Sequence, residues 1–185
     1  AFEELAKIAL KLEKRIIVLK VGLSKQAQLA TISHTASLTG TDSGANALFK
    51  RLGIARVKNL PIFLETLKLL HVTGPLKSKN LASVSCSGGE ASLVADLAYG
   101  HEVVFPELND RQVNDLRKVL GPMVALANPL DYHTYIWRDT KAMTLAWSAI
   151  MDPNIALTLL ILDFPRTDRC DASDWQCAID AAILS

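Results

Sequence analysis

Cysteine is scarce: the 185-residue chain has three, at 86, 170 and 177. Their separations match no metal-ligand spacing, so no metal site is expected, and an odd number makes no closed disulfide framework. Reduced thiols and a cytoplasmic setting follow as the expectation. Runs of Lys and Arg are absent and the net charge is +1, which argues against nucleic acid or an anionic membrane as the main partner. No apolar stretch reaches the length of a membrane span. The opening AFEELAKIALKLEK carries acids and lacks a small-residue cleavage site, so it reads as a helix and not as a signal peptide. There is no repeat of solenoid type, no G-x-G-x-x-G and no Walker A loop.

What the chain does have is apolar mass. Half of it is hydrophobic and 21% is charged, so it can bury a core. Its length suits two compact units of roughly 80–100 residues each. Residues 2–13 place Phe2, Leu5, Ala6, Ala9 and Leu12 on one helical face. RIIVLKVG then reads as a buried parallel strand ended by Gly22, and Leu23 to about Gly40 as a polar loop. Thr41 or Asp42 is expected to cap a helix through Leu52, with Gly53 at its end, before a short strand IARV and a helix with Pro61 in its first turn. VTGPLKSKN, residues 72–80, is the best linker. This divides the chain into 1–71, linker 72–80 and 81–185.

The second half repeats the pattern. LASVSCS, HEVVF and NIALTLLILD read as strands, the last as the clearest buried one. Helices are expected over SGGEASLVADLAY, over NDRQVNDLRKVLG with Asn109 as cap and Val113, Leu116 and Leu120 inward, near 138–150, and from about Ala172. Strands alternating with helices imply parallel sheets covered on both faces, an α/β fold. The chain begins and ends inside helical patterns, which leads to the expectation of a piece of a longer protein.

Two stretches can carry chemistry. In TISHTASLTGTDSG, His34 lies among Ser33, Thr35, Ser37, Thr39 and Thr41, ahead of a helix N-terminus. Hydroxyls, nearby glycine and free N–H groups suit a phosphate, and an imidazole there can accept a phosphoryl group and pass it on. Composition alone still favours a loop histidine bonded to backbone. In SVSCSGGEASL, an apolar strand runs into Ser87-Gly88-Gly89 and a helix. That is where open α/β sheets bind ligands, and equally what an ordinary tight βα turn looks like. Lys20 ends a strand, where active-site side chains often emerge. His71 and His101 read as surface or capping groups, and the tryptophans as core or rim. Cys86 reads as a structural thiol, although a helix N-terminus can lower a thiol pKa. His133, beside Asp131, is a site residue or part of a plain turn.

Over about 45 residues the chain resembles the NDP-forming (ADP-forming) acyl-CoA synthetases and acetate–CoA ligases, relatives of succinyl-CoA synthetase. The matching residues are Leu19-Lys20-Val21-Gly22, Ser33-His34-Thr35-Ala36-Ser37-Leu38-Thr39-Gly40, Leu48-Phe49, Gly53-Ile54 and Arg56-Val57. LASVSCSGGEASLVADLA and ANPLD at 127–131 resemble that family's next domain. The resemblance implies two flavodoxin-like, succinyl-CoA synthetase-like parallel-sheet units, the first truncated at its start and the second incomplete at its end. It implies that His34 is the phosphorylated nucleophile of a ligase converting a carboxylic acid, CoA and ATP to acyl-CoA, ADP and phosphate, with Mg2+. Ser33, Thr35, Ser37, Ser87, Gly88 and Gly89 would bind phosphate.

CoA-binding and ATP-grasp modules of the same protein are the implied partners. This piece alone is expected to be inactive and to hold no cofactor tightly. The acyl substrate, ATP against GTP, and homo-oligomer formation stay open. Two departures stand out: Ala36 where Gly is commoner, and Glu90 where Pro is frequent, the latter opposing an anion at that helix start. A non-catalytic ligand-binding module of a protein acetyltransferase-type fusion, and a generic α/β binding module, remain the alternatives.

Overall fold

A computed structural model of the chain describes residues 2–35 and 40–185, and for residues 33–35 the backbone alone. The described chain divides into two compact units, residues 1–75 and 76–185.

In the first unit the order is α1 (Phe2–Lys11), β1 (Ile17–Leu19), α2 (Lys25–Thr35), α3 (Asp42–Arg51), β2 (Ala55–Val57) and α4 (Leu60–Thr73). β1 and β2 pair in parallel, Ile17 opposite Ala55 and Leu19 opposite Val57. Local chemistry sets the helix ends. Thr41 Oγ1 accepts from the Gly44 N–H at 3.2 Å, and Asn59 Oδ1 from that of Ile62 at 2.9 Å. Gly53 (φ 64°) and Gly74 (φ 66°) follow α3 and α4 in the left-handed region that glycine adopts without strain. The core is Ala6, Phe49 and Ile54, backed by Ile16, Val18, Ala45 and Leu52. Phe2 meets Phe49 edge-on at 6.3 Å.

In the second unit the order is β3 (Leu81–Ser85), α5 (Gly88–Ala98), α6 (Asp110–Leu120), β4 (Leu130–Asp131), α7 (Thr140–Ile150), β5 (Leu157–Leu160) and α8 (Ser173–Leu184). The sheet order is β4-β3-β5, all parallel. Trp147, Tyr132, Leu116, Leu130, Met143 and Ile150 fill its core. Asn109 and Gln112 form a reciprocal capping box at α6. Asn128 ties three segments together: its Oδ1 accepts from the Ser83 N–H at 3.2 Å, and its Nδ2 donates to the carbonyls of Leu81 at 2.9 Å and Pro106 at 3.1 Å.

The α/β class and the parallel sheets agree with the sequence expectation; several elements differ, among them β4, which forms where a loop was read, and β1, which is half-buried where a buried strand was read. The stretch 23–40 was expected to be loop, yet α2 occupies Lys25–Thr35, started by Ser24 Oγ accepting from the Ala27 N–H at 3.2 Å. KQAQLATISHT has no apolar face for a period to reveal; Leu29 and Ile32 are exposed. HEVVF forms no strand. Val104 makes one isolated bridge to Asn80 and stays half exposed. NIALTLLILD supplies β5, but β5 pairs with β3 on one side and is only half-buried, whereas Ala82–Ser85 of central β3 are fully buried.

Candidate functional site

Each unit brings polar side chains to the carboxyl ends of its parallel strands, the position where open α/β sheets bind ligands. In the first unit Lys20 follows β1, Asp42 opens α3 and Arg56 lies within β2. Asp42 Oδ2 accepts from Arg56 Nη1 at 3.1 Å and Oδ1 from Arg56 Nη2 at 2.5 Å, while Lys20 Nζ stands 3.8 Å from Oδ1. The Arg56 guanidinium holds the Asp42 carboxyl below the usual carboxylate range, with Lys20 adding to the effect. These three, with Asn46, Lys58, Leu23 and Val57, line an open cavity of about 380 Å³. Lys20 was expected here from its place at a strand end. Asp42, Asn46 and Arg56 were not; an arginine inside the three-residue strand ARV was the available signal.

His34 lies in the last turn of α2, not in a loop. Its side chain, those of Ser33 and Thr35, and all of Ser37 fall outside the described residues, and the phosphate contacts expected of them with them.

In the second unit Ser87, Gly88 and Gly89 do come together at the end of β3. Ser87 caps α5, its Oγ accepting from the Gly89 N–H at 3.2 Å. A Cβ on Gly88 would sit 3.3 Å from Asp131 Oδ2, so the glycine permits a close approach of helix start to β4. Asp131 Oδ1 in turn accepts from the His133 N–H at 2.9 Å, and His133 stacks on Tyr135 with centroids 5.4 Å apart. Burial raises the Glu90 carboxyl above its ordinary value, and the charges of Asp163 and Asp131 push it further; the Cys86 N–H opposes this. One Glu90 oxygen is buried without a hydrogen-bond partner. Burial likewise raises the Cys86 thiol, with Glu90 adding, which disfavours the thiolate that a nucleophile would need. The α5 N-terminus therefore meets negative charge supplied by its own unit. The sequence singled out Glu90, while Asp163, beyond an apolar strand, went unnoticed. Among the described residues no group of three or more His, Cys, Asp and Glu has the arrangement to hold a metal ion, and no helix is long and apolar enough to cross a membrane.

Comparison with known proteins bears on both units. The model of the succinyl-CoA ligase-like flavodoxin domain matches residues 1–70. The chain is 30% identical over 165 residues to the alpha subunit of ADP-forming acetate–CoA ligase II of Pyrococcus furiosus, covering 89% of this chain and 35% of that one. It is 30% identical over 127 residues to the ADP-forming acetate–CoA ligase of Methanocaldococcus jannaschii, covering 68% of this chain and 18% of that one. The chain thus spans about a third or less of the length of these relatives. The fold matches dinucleotide-forming acetyl-coenzyme A synthetase 1 of Ca. Korarchaeum cryptofilum, solved in complex with phosphate and ADP. The TM-score is 0.75 at 19% identity, over 97% of this chain and 39% of that one. Both units are α/β with parallel strands, and the motifs around Lys20, His34 and Arg56 fall in the matched region: residues 1–70 belong to the succinyl-CoA ligase-like flavodoxin domain family, and the chain is similar to an ADP-forming acetate–CoA ligase subunit over 89% of its length.

Proposed function

We propose that this chain is part of an NDP-forming acid–CoA ligase in which His34 carries the phosphoryl group. The observation that carries the reading is the 165-residue match to an acetate–CoA ligase subunit, which runs through 89% of the chain. A neutral imidazole attacks the terminal phosphorus of ATP, ADP leaves, and the phosphoryl group rests on His34. A carboxylate oxygen then takes it to give an acyl phosphate, and the CoA thiol displaces phosphate to give the thioester. Mg2+ would accompany the nucleotide.

Within this scheme Ser33, Thr35 and Ser37 supply hydroxyl donors, and Ser87, Gly88 and Gly89 supply backbone N–H groups. The helix start that offers Ser87, Gly88 and Gly89 also faces the carboxylates of Glu90 and Asp131, which oppose an anion there. CoA, nucleotide and acid are held on CoA-binding and ATP-grasp modules of the complete enzyme, which works in the cytoplasm; this chain alone does not turn over.

The test uses the complete enzyme that contains this chain. Incubated with γ-labelled ATP and Mg2+, it should acquire an acid-labile, base-stable phosphate, and His34→Ala should abolish it. Label that persists in His34→Ala removes the assignment.

A further inference from the structure

We propose that the cavity at the carboxyl ends of β1 and β2 is a binding site for a small oxyanion carrying two negative charges, held between the ammonium groups of Lys20 and Lys58. The site stands whether or not His34 is phosphorylated.

The charges lining this cavity do not balance. Its wall carries Lys20, Arg56 and Lys58 against a single carboxylate, that of Asp42. Arg56 takes that carboxylate for itself, meeting both oxygens in the two-pronged arrangement that is the strong form of such a pair. Lys20 Nζ, 3.8 Å from Asp42 Oδ1, stands beyond hydrogen-bond distance of it. The bond it does make, to the Val21 carbonyl, is long at 3.4 Å. An ammonium has three N–H donors, and the Lys20 side chain is only 19% exposed, so water serves those donors poorly. Lys58 follows β2 and is exposed, with no ion pair among the described residues. Two positive charges therefore face one cavity uncompensated. Like charges held together in a space partly closed to water repel, and an anion between them removes that cost.

Shape and lining agree with such a ligand. A cavity of about 380 Å³ lies at the small end of the range for ligand pockets and has room for a phosphate group or a short dicarboxylate. Asn46 turns Oδ1 toward Arg56, which leaves its amide N–H groups as neutral donors on the same wall. Leu23 and Val57 supply apolar contact for a short carbon skeleton. A merely solvated pair of lysines predicts something else: any salt of equal ionic strength should act on them alike.

The experiment is lysine footprinting of the complete enzyme that contains this chain. Brief reductive methylation with formaldehyde and cyanoborohydride is read residue by residue by mass spectrometry, in chloride, acetate, inorganic phosphate or succinate at equal ionic strength. Phosphate or succinate should slow modification of Lys20 and Lys58 by about threefold or more relative to chloride, and acetate should do less. Whichever of phosphate and succinate protects at the lower concentration identifies the source of the two charges. Lys25 and Lys50, outside the cavity, should react at one rate in all four salts. Lys58→Gln should raise the dianion concentration that half-protects Lys20 by about tenfold. It should leave thermal melting unchanged, since Lys58 is exposed. Lys20→Gln should weaken protection of Lys58 in the same way. Equal rates at Lys20 and Lys58 in all four salts overturn the proposal. So does acetate that protects as well as the dianions, or protection of Lys20 that survives Lys58→Gln unchanged.

Discussion

Unit 2 closes a core and unit 1 leaves much of its apolar surface open. In residues 76–185, Trp147, Tyr132, Leu116, Leu130, Met143 and Ile150 are almost completely buried between the sheet and its helices. In the described part of residues 1–75 the buried hydrophobic side chains are Ala6, Phe49 and Ile54, each 6–9% exposed, while Leu5, Ile8 and Leu12 of the first helical stretch and Leu60, Ile62, Leu64 and Leu67 of α4 stay exposed. What replaces a core in unit 1 is directional chemistry: caps at Thr41 and Asn59, and ion pairs of Arg51 with Glu3 and of Arg56 with Asp42. The unit held by few buried contacts is the one that carries His34. Reactive segments are drawn from the less stable parts of a fold, because those parts can move.

The largest expected effect tests that contrast directly. All three tryptophans lie in unit 2, so tryptophan fluorescence follows unit 2 and far-UV circular dichroism follows both. Trp147→Ala removes a side chain that is 2% exposed and packed edge-on against Tyr132, and should cost about 3–5 kcal/mol in the fluorescence transition. Phe49→Ala should cost less, about 2–3 kcal/mol, because the small cluster around it can relax into the gap. It should leave the Trp137 and Trp175 signal where it was. Equal shifts of the fluorescence midpoint in the two variants would show that the units unfold as one, and the contrast would fail.

Legibility in the sequence followed the same division. Unit 2 was readable because its signals were strong and local: an apolar run at Leu81–Ser85, Asn109 three residues before Gln112, and glycines at the turns. Its error, HEVVF, came from reading β-branched residues as a strand when a single bridge is all the backbone makes there. In unit 1 the helix α2 was invisible, because a helix without a buried face has no period. The site divided likewise. Lys20 could be placed from its position at a strand end; His34 was singled out by its hydroxyl-rich setting and the resemblance, but the helix that carries it was not foreseen. The Asp42–Arg56 pair joins residues 14 apart through the packing of α3 against β2, which no local pattern announces.

A smaller effect compares the caps. Asn109→Ala removes the acceptor for the Gln112 N–H and the Nδ2 bond to Asp152 at 2.8 Å, and should cost about 1–2 kcal/mol in the fluorescence transition. Asn59→Ala removes the single cap bond to Ile62 and should cost about 1 kcal/mol, seen in circular dichroism alone. If Asn59→Ala proves the costlier change, local caps matter more to the sparsely packed unit than its small core does, and the contrast sharpens.

The smallest effect is in sign more than size, and it turns on two carboxylates at strand ends. Asp42 in unit 1 has a folded-state pKa below its unfolded value, since Arg56 bonds the charged form. Its contribution is present above the unfolded pKa and fades as pH falls through the folded one. Glu90 in unit 2 is shifted upward by burial, Asp163 and Asp131, so its folded state holds the proton more tightly. The stability associated with that proton is complete below the unfolded pKa and is lost as pH rises through the folded value. Asp115, Asp152, Asp168 and Asp171 in the same unit shift downward, so the pH profile of unit 2 as a whole mixes both signs. The difference between variant and parent isolates each group. Asp42→Asn should lower the circular dichroism midpoint at neutral pH and leave it unchanged in acid. Glu90→Gln should raise the fluorescence midpoint at neutral pH and leave it unchanged in acid. A Glu90→Gln protein no more stable than the parent at neutral pH would mean that the charged carboxylate is accommodated at the α5 N-terminus after all, as the attraction between a helix start and an anion allows.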